Sequence, residues 1–204
     1  MSDSGSATLL LVRHGQIEAN TARIWHGSTD SPLTEHGHRE ARRTAEFLAR
    51  TRPRARALYT SPLLRTRQTA SAIAGLTGLE AVLEPGLAEY GIGELEGVSY
   101  LALMNEHRFF ARIDADRDYA PPGGESANGV LARVTDALGR IARAHRGEEV
   151  VVVGHGAALG IALGELLHGN PMQWQKFHLS NCGLSELVLE PEPKLLAWNQ
   201  TDHL

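Results

Sequence analysis

Two strand-length runs, Thr8 to Val12 and Glu149 to Val153, are apolar at nearly every position instead of at alternate ones. Each stops at a histidine beside glycine, in Arg13-His14-Gly15 and in Gly154-His155-Gly156. A strand that is apolar on both faces is buried on both faces, which requires a sheet with helices packed above and below it. The remaining segments alternate in the same sense. Thr34 to Thr51 reads as a helix with Thr34 as its N-cap and Ala41, Ala45 and Leu48 on one face, and Gly37 in its first turn weakens the reading. Ala57 to Thr60 reads as a strand, and Ser61-Pro62 as the cap and proline that open a helix from Leu63 to Ile73. Glu80 to Glu84 reads as a short strand, Leu87 to Gly97 as a glycine-rich loop, and Ser99 to Arg112 as a helix. Val130, Val134, Leu138 and Ile141 form the buried stripe of a helix that ends near His145. An alanine-rich helix to Leu167 and two strands, Gly183 to Leu189 and Leu195 to Trp198, complete the pattern, with an antiparallel edge. The expected fold class is α/β, a three-layer α/β/α sandwich with a mostly parallel central sheet.

A chain of 204 residues suits one domain spanning 1–204, with about 99–125 as a substrate-side helix and loop insertion. Twenty basic against 24 acidic residues give a net charge of -4, so no global positive field exists to hold nucleic acid or an anionic membrane surface. Any phosphate binding must be local. The single cysteine, Cys182, cannot close an internal disulfide, and the N-terminal stretch has neither a basic start nor a long apolar run, so the expected location is cytoplasmic. No His-Glu-x-x-His or carboxylate cluster stands among the ten histidines, so the expectation is no metal and no cofactor. Sheet-edge homodimers are common enough to keep a homodimer open.

In an open α/β sheet, ligands bind beyond the carboxyl ends of the strands, where both His14 and His155 fall. Glycine beside each lets the backbone turn sharply and brings main-chain N–H groups close to a ligand. Arg13 and Arg65 also follow strand segments, and the planar guanidinium fork suits phosphate oxygens. Any one of these residues alone could simply finish a turn. Their convergence on one sheet edge points to a shared anion site.

The residues of that edge also resemble a known family. Leu11-Val-Arg-His-Gly15 is similar to the Arg-His-Gly signature of the histidine phosphatase superfamily, which includes cofactor-dependent phosphoglycerate mutases. Asn20, Asp30-Ser-Pro-Leu-Thr34 with Gly37, Ser61 to Ala70, Leu87-Ala-Glu-Tyr-Gly91 with Glu96-Gly97, Pro122 to Ser126, Val153 to Gly156 and the tail Trp198 to Leu204 follow the family's order. Gln16, Ile17 and His26 depart from residues frequent among relatives, which bears on substrate recognition.

The resemblance implies a phosphoglycerate mutase-like fold and a metal-independent phosphatase acting on a small-molecule phosphate ester. It implies that neutral His14 attacks phosphorus to form a phosphohistidine, while Arg13, Arg65 and His155 act as cationic donors to the phosphoryl oxygens. Glu89 gives a proton to the leaving alkoxide and then activates water. On composition alone, Glu89, Glu94 and Glu96 also fit an acidic solvated loop. Asn20 and the Gly156 N–H are candidate further phosphate donors, although Asn20 also fits a helix cap. Gln16, His26 and Gly27 are candidate substrate contacts. His107, Arg108 and Arg112 fit either substrate contacts or an exposed helix, and Trp25, Phe109 and Phe110 either contacts or core. A cofactor-dependent phosphoglycerate mutase and a non-catalytic phosphate-binding protein remain the alternatives. The resemblance gives mutases extra inserted and C-terminal segments, so hydrolysis is the expectation for a chain of this length.

Overall fold

The computed structural model describes residues 5–204. In chain order the elements are β1 (Thr8–Arg13), α1 (Glu18–Ala22), α2 (Glu35–Thr51), β2 (Ala55–Thr60), α3 (Leu64–Thr77), β3 (Ala81–Leu83), α4 (Tyr100–Asn105), α5 (Phe109–Ala115), α6 (Ala127–Ala144), β4 (Glu149–Gly154), α7 (Gly156–His168), β5 (Leu184–Val188) and β6 (Lys194–Gln200). Short 3₁₀ segments lie at Pro85–Leu87, Gly93–Leu95 and Pro171–Phe177. The strands form one sheet in the order β3-β2-β4-β1-β5-β6. β1 and β2 flank β4 in parallel, β3 runs parallel to β2, and β5 and β6 close the other side antiparallel. The α/β/α sandwich with a mostly parallel sheet is therefore as the sequence leads one to expect.

Alternation along the two central strands sorts the core into two layers. Leu9, Leu11, Val150 and Val152 pack with Val130, Val134 and Leu138 of α6 and with Leu159 and Ile161 of α7. Leu10, Val12, Val151 and Val153 face the opposite way, against Ala45 and Leu48 of α2 and Ala70 and Ile73 of α3. Each fully buried side chain of this kind is worth roughly 1.5–3 kcal/mol. A one-residue slip would exchange every partner between the layers, so the register is strongly specified. That register pairs Arg13 with Gly154 and Thr60 with Val153. His14, Ser61 and His155, the next residue of each strand, therefore arrive side by side.

Two local readings change, and two short elements are new. The helix expected over Ser99 to Arg112 is two helices, because Arg108 takes a left-handed conformation (φ 50°) and starts α5 in a new direction. Ser61 does not cap α3: the N-cap position is Leu63, which offers no side-chain acceptor, and Asp30 accepts the Leu64 N–H at 2.6 Å instead. The helix α1 and the 3₁₀ segment at Pro171–Phe177 carry too few residues in periodic arrangement to be read in advance. Thr34 caps α2 as expected, accepting from the Gly37 N–H at 3.0 Å.

Gly37 is more than a weak helix former. A Cβ there would overlap the Gln16 carbonyl oxygen and lie 2.8 Å from the Gln16 nitrogen. The first turn of α2 thus presses directly on the backbone that follows His14. Gly37→Ala gains up to about 1 kcal/mol of helix propensity, but backbone atoms cannot yield as a side chain does. The expected net result is a loss of about 2 kcal/mol, read in thermal unfolding as a Tm lower by roughly 4–8 °C. An unchanged or higher Tm would show that the loop relaxes freely.

Candidate active site

His14 and His155 stand with ring centroids 5.3 Å apart at the carboxyl end of the sheet, and both are almost fully buried. The Nδ1–H of His14 donates to the carbonyl of Gly15 at 2.7 Å, which leaves Nε2 as the unprotonated nitrogen of the neutral ring. Burial first, then the charges of Arg65 and Arg13, push the His14 imidazolium well below the ordinary value of 6.5. A cation here would be both desolvated and beside two others, so the ring is a neutral base with a lone pair.

Arg65 is 0% exposed and bonded on nearly every side. Its Nε donates to His155 Nδ1 at 3.2 Å, one terminal nitrogen donates to the Thr29 carbonyl at 2.9 Å, and the other to the carbonyls of His26 and Gly27 at 3.1 and 2.8 Å. Arginine can only donate, so His155 Nδ1 must be unprotonated and its proton sits on Nε2. That N–H donates to Ser61 Oγ at 2.8 Å. Burial, followed by Arg65, His14 and Arg13, pushes the His155 imidazolium well below 6.5. The ring is neutral where the resemblance implies a cationic donor, because its one lone pair is committed to a guanidinium.

Arg13 donates from one terminal nitrogen to the Leu179 carbonyl at 2.7 Å, while its buried Nε has no partner among the described residues. Gly156 packs against that group, and a Cβ at position 156 would sit 3.3 Å from Arg13 Nε. Glu89 faces the same place. Its carboxylate accepts from the N–H groups of Ala157 at 3.1 Å, Ala158 at 2.8 Å and its neighbour Tyr90 at 2.8 Å. The first turn of α7 thus offers its positive end and its unpaired donors to an anion, and the carboxylate takes them.

The outlying residues divide. Asn20 Oδ1 accepts from Ile17 N–H and from Asn181 Nδ2, both at 3.1 Å, so its oxygen is engaged within the protein and only its amide nitrogen could donate to a ligand. Gln16 is engaged elsewhere, accepting from Thr34 Oγ1 at 3.0 Å through its side chain and donating its N–H to Glu40 at 2.7 Å. His26 bonds Ser31 through Nδ1 at 2.7 Å, and Gly27 donates to Glu96 at 2.8 Å, so both reach the centre through the carbonyls that hold Arg65. Arg112 lies over Tyr119 and bonds its hydroxyl at 3.2 Å, away from the centre. Trp25 and Phe109 are core, 3% and 0% exposed.

Sequence reasoning missed Ser61 as a partner of His155, Asn181, which donates to the His14 carbonyl at 2.9 Å, and Thr69, whose hydroxyl accepts the Gly15 N–H at 3.1 Å. Glu96 belongs in this group rather than to a solvated loop. It accepts N–H bonds from Gly27, Ser28, Thr29 and Ile92, and although burial alone would raise its carboxyl, these bonds hold it below its ordinary value. Only its place beside Gly97 signalled it.

The geometry defines an α/β protein with a buried centre of two neutral histidines, two arginines and one carboxylate at the carboxyl edge of its sheet. Comparison with known proteins agrees. The chain belongs to the histidine phosphatase superfamily (branch 1), whose family model matches residues 9–201. It is 36% identical over 187 residues, 91% of this chain and 86% of the relative, to the probable phosphoglycerate mutase GpmB of Photorhabdus laumondii. Its fold matches the phosphoserine phosphatase of Entamoeba histolytica, solved with 3-phosphoglyceric acid, at a TM-score of 0.86 and 28% identity over 97% of this chain and 99% of that one. A mycobacterial glucosyl-3-phosphoglycerate phosphatase matches at a TM-score of 0.81 and 25% identity, covering 95% and 99%. Members of this superfamily are phosphatases or mutases, and the expected phosphoglycerate mutase-like fold stands.

Two buried neutral histidines make stability depend on pH. Between their depressed folded values and 6.5, the unfolded chain binds protons that the folded chain refuses, so stability falls as pH drops below 6.5. The urea midpoint should decrease between about pH 7 and about pH 5, and less steeply in a His14→Asn/His155→Asn protein. Equal slopes in the two proteins would show that these rings do not titrate on unfolding.

Proposed function

We propose that the chain is a phosphatase that hydrolyses a small-molecule phosphomonoester through a phosphohistidine on His14. The observation that carries this is the buried Nε–H of Arg13 beside Gly156, unpartnered among the described residues, next to a neutral histidine whose Nε2 holds the lone pair. An unsatisfied buried donor costs about 1–3 kcal/mol, and a phosphoryl oxygen would satisfy it. His14 Nε2 attacks phosphorus, the bond from phosphorus to the ester oxygen breaks, and Glu89 supplies the proton that the departing alkoxide takes up. Water then attacks the phosphohistidine, Glu89 accepts its proton, and inorganic phosphate leaves with His14 restored. Arg13, Arg65 and the first-turn N–H groups of α7, to which the Asn20 amide is a candidate addition, neutralise charge on the phosphoryl oxygens.

Glu89 must leave Ala157 and Ala158 for this to happen, because a phosphate dianion needs those donors. Arrival of the ester therefore displaces the carboxylate into a more negative setting, which favours its taking the proton it later delivers. The rival reading is phosphoglycerate mutase, favoured by the name of the Photorhabdus relative. The solved phosphatases support hydrolysis, since the Entamoeba enzyme superposes over nearly its full length. Among the described residues no group of three or more His, Cys, Asp or Glu could hold a metal ion, and no helix is long and apolar enough to cross a membrane.

A phosphate-release screen over metabolite esters tests the reading, with 2- and 3-phosphoglycerate interconversion measured beside it. Release should persist in EDTA and fall by ~10⁴-fold or more in His14→Ala. Interconversion dependent on bisphosphoglycerate and faster than any release would decide for the mutase. A second measurement isolates the acid: Glu89→Gln should lower kcat by ~10²–10⁴-fold while ³²P still labels His14 from an ester with a good leaving group. A kcat within a few-fold of the unmodified enzyme would remove Glu89 from the proton path.

A further inference from the structure

The helix beside the catalytic acid exposes apolar surface. On α4, Tyr100, Leu101 and Met104 are 41%, 67% and 58% exposed. Residues three and four apart share a helix face, so Met104 joins the other two in one patch. The patch adjoins the centre. Burial, then the charge of Glu89, raises the Tyr100 hydroxyl, and Tyr100 in turn opposes the lowering of Arg13 by burial. The Tyr100 ring lies 6.4 Å from that of Phe110 at an interplanar angle of 15°, and 5.4 Å from Trp25. Phe110 in turn lies 6.0 Å from Trp174.

The rings of Tyr100, Phe110 and Trp174 form the accessible side of this cluster, with Trp25 buried behind them, and its position is tied to the acid. The Trp25 indole N–H donates to the carbonyl of Tyr90, the residue after Glu89, at 3.1 Å. The Tyr100 N–H donates to the Arg23 carbonyl at 2.9 Å, which anchors the start of α4 to the loop that precedes Trp25. A wall of aromatic and thioether groups offers area and no counter-charge. It rewards an apolar leaving group in proportion to the area buried and gives a carboxylate or a set of hydroxyls nothing for the water they lose. Exposed contiguous apolar patches of this kind on a chain otherwise ordinary in composition mark binding surfaces.

We propose that Tyr100, Met104 and Phe110 form a leaving-group subsite that selects phosphomonoesters of apolar, ring-bearing alcohols over carboxylated or polyhydroxylated ones. The inference rests on the phosphatase reading and names its substrate class. The test compares kcat/KM for 2-phenylethyl phosphate, ethyl phosphate, glycerol 3-phosphate and 3-phosphoglycerate, which all release a primary alkoxide and so differ little in intrinsic reactivity. The 2-phenylethyl ester should exceed each of the others by ~10-fold or more. In Tyr100→Ala the ratio of 2-phenylethyl to ethyl phosphate should fall by ~10-fold, mainly through KM, and Tyr100→Phe should restore it. Glycerol 3-phosphate or 3-phosphoglycerate turned over as well as the 2-phenylethyl ester overturns the subsite alone, as does a ratio unaltered by Tyr100→Ala. No release from any of the four, with no phosphate trapped on His14, overturns the phosphatase reading and the subsite together.

Discussion

The guanidinium of Arg65 is the interaction on which the site depends. It is a full charge with no exposed surface, and it survives there because three backbone carbonyls and one imidazole nitrogen accept its hydrogens. Through those bonds one side chain ties α3, the loop from His26 to Thr29 and His155 into a single body. Removing any one acceptor would leave a buried charged donor unpaired, which costs about 1–3 kcal/mol or more. The surrounding chain is accordingly held by acids that are not its direct partners: Glu96 gathers the N–H groups of the same loop, and Asp30 caps the helix that carries Arg65. Loop and helix are each braced by a carboxylate before they meet at the guanidinium.

The same cation decides protonation. Because it occupies His155 Nδ1 as a donor, the ring has one proton and points it at Ser61. Because it lies near His14 as a like charge, it helps keep that ring neutral too. A nucleophilic nitrogen needs a lone pair, and a cation-rich, water-poor setting supplies one without any general base. The cost is that two imidazoles are buried in neutral form, which makes the fold less tolerant of acid.

Two carboxylates of one loop do different things because different numbers of donors reach them. Glu96 is fully engaged by the N–H groups of Gly27, Ser28, Thr29 and Ile92 and is a structural anion. Glu89 is held by the start of α7, a place that a phosphate would contest. In the proposed reaction only the second can change partners, and the aromatic wall beside it then determines which alcohol departs.

Composition and periodicity alone determined the layered α/β fold, the strand ends that carry His14 and His155, and the convergence of two arginines on that edge, because apolar runs and helical stripes are local properties of the chain. The break at Arg108 was not legible, since a left-handed residue other than glycine leaves no compositional trace. Nor were Ser61 as the partner of His155 and Glu96 as the clasp of a loop 67 or more positions earlier in the chain. Those roles, and the neutral state of His155, came only with tertiary structure. A hydrogen bond between distant residues depends on strand register and burial, and neither the length of the contact nor the water it excludes is written in the neighbouring residues.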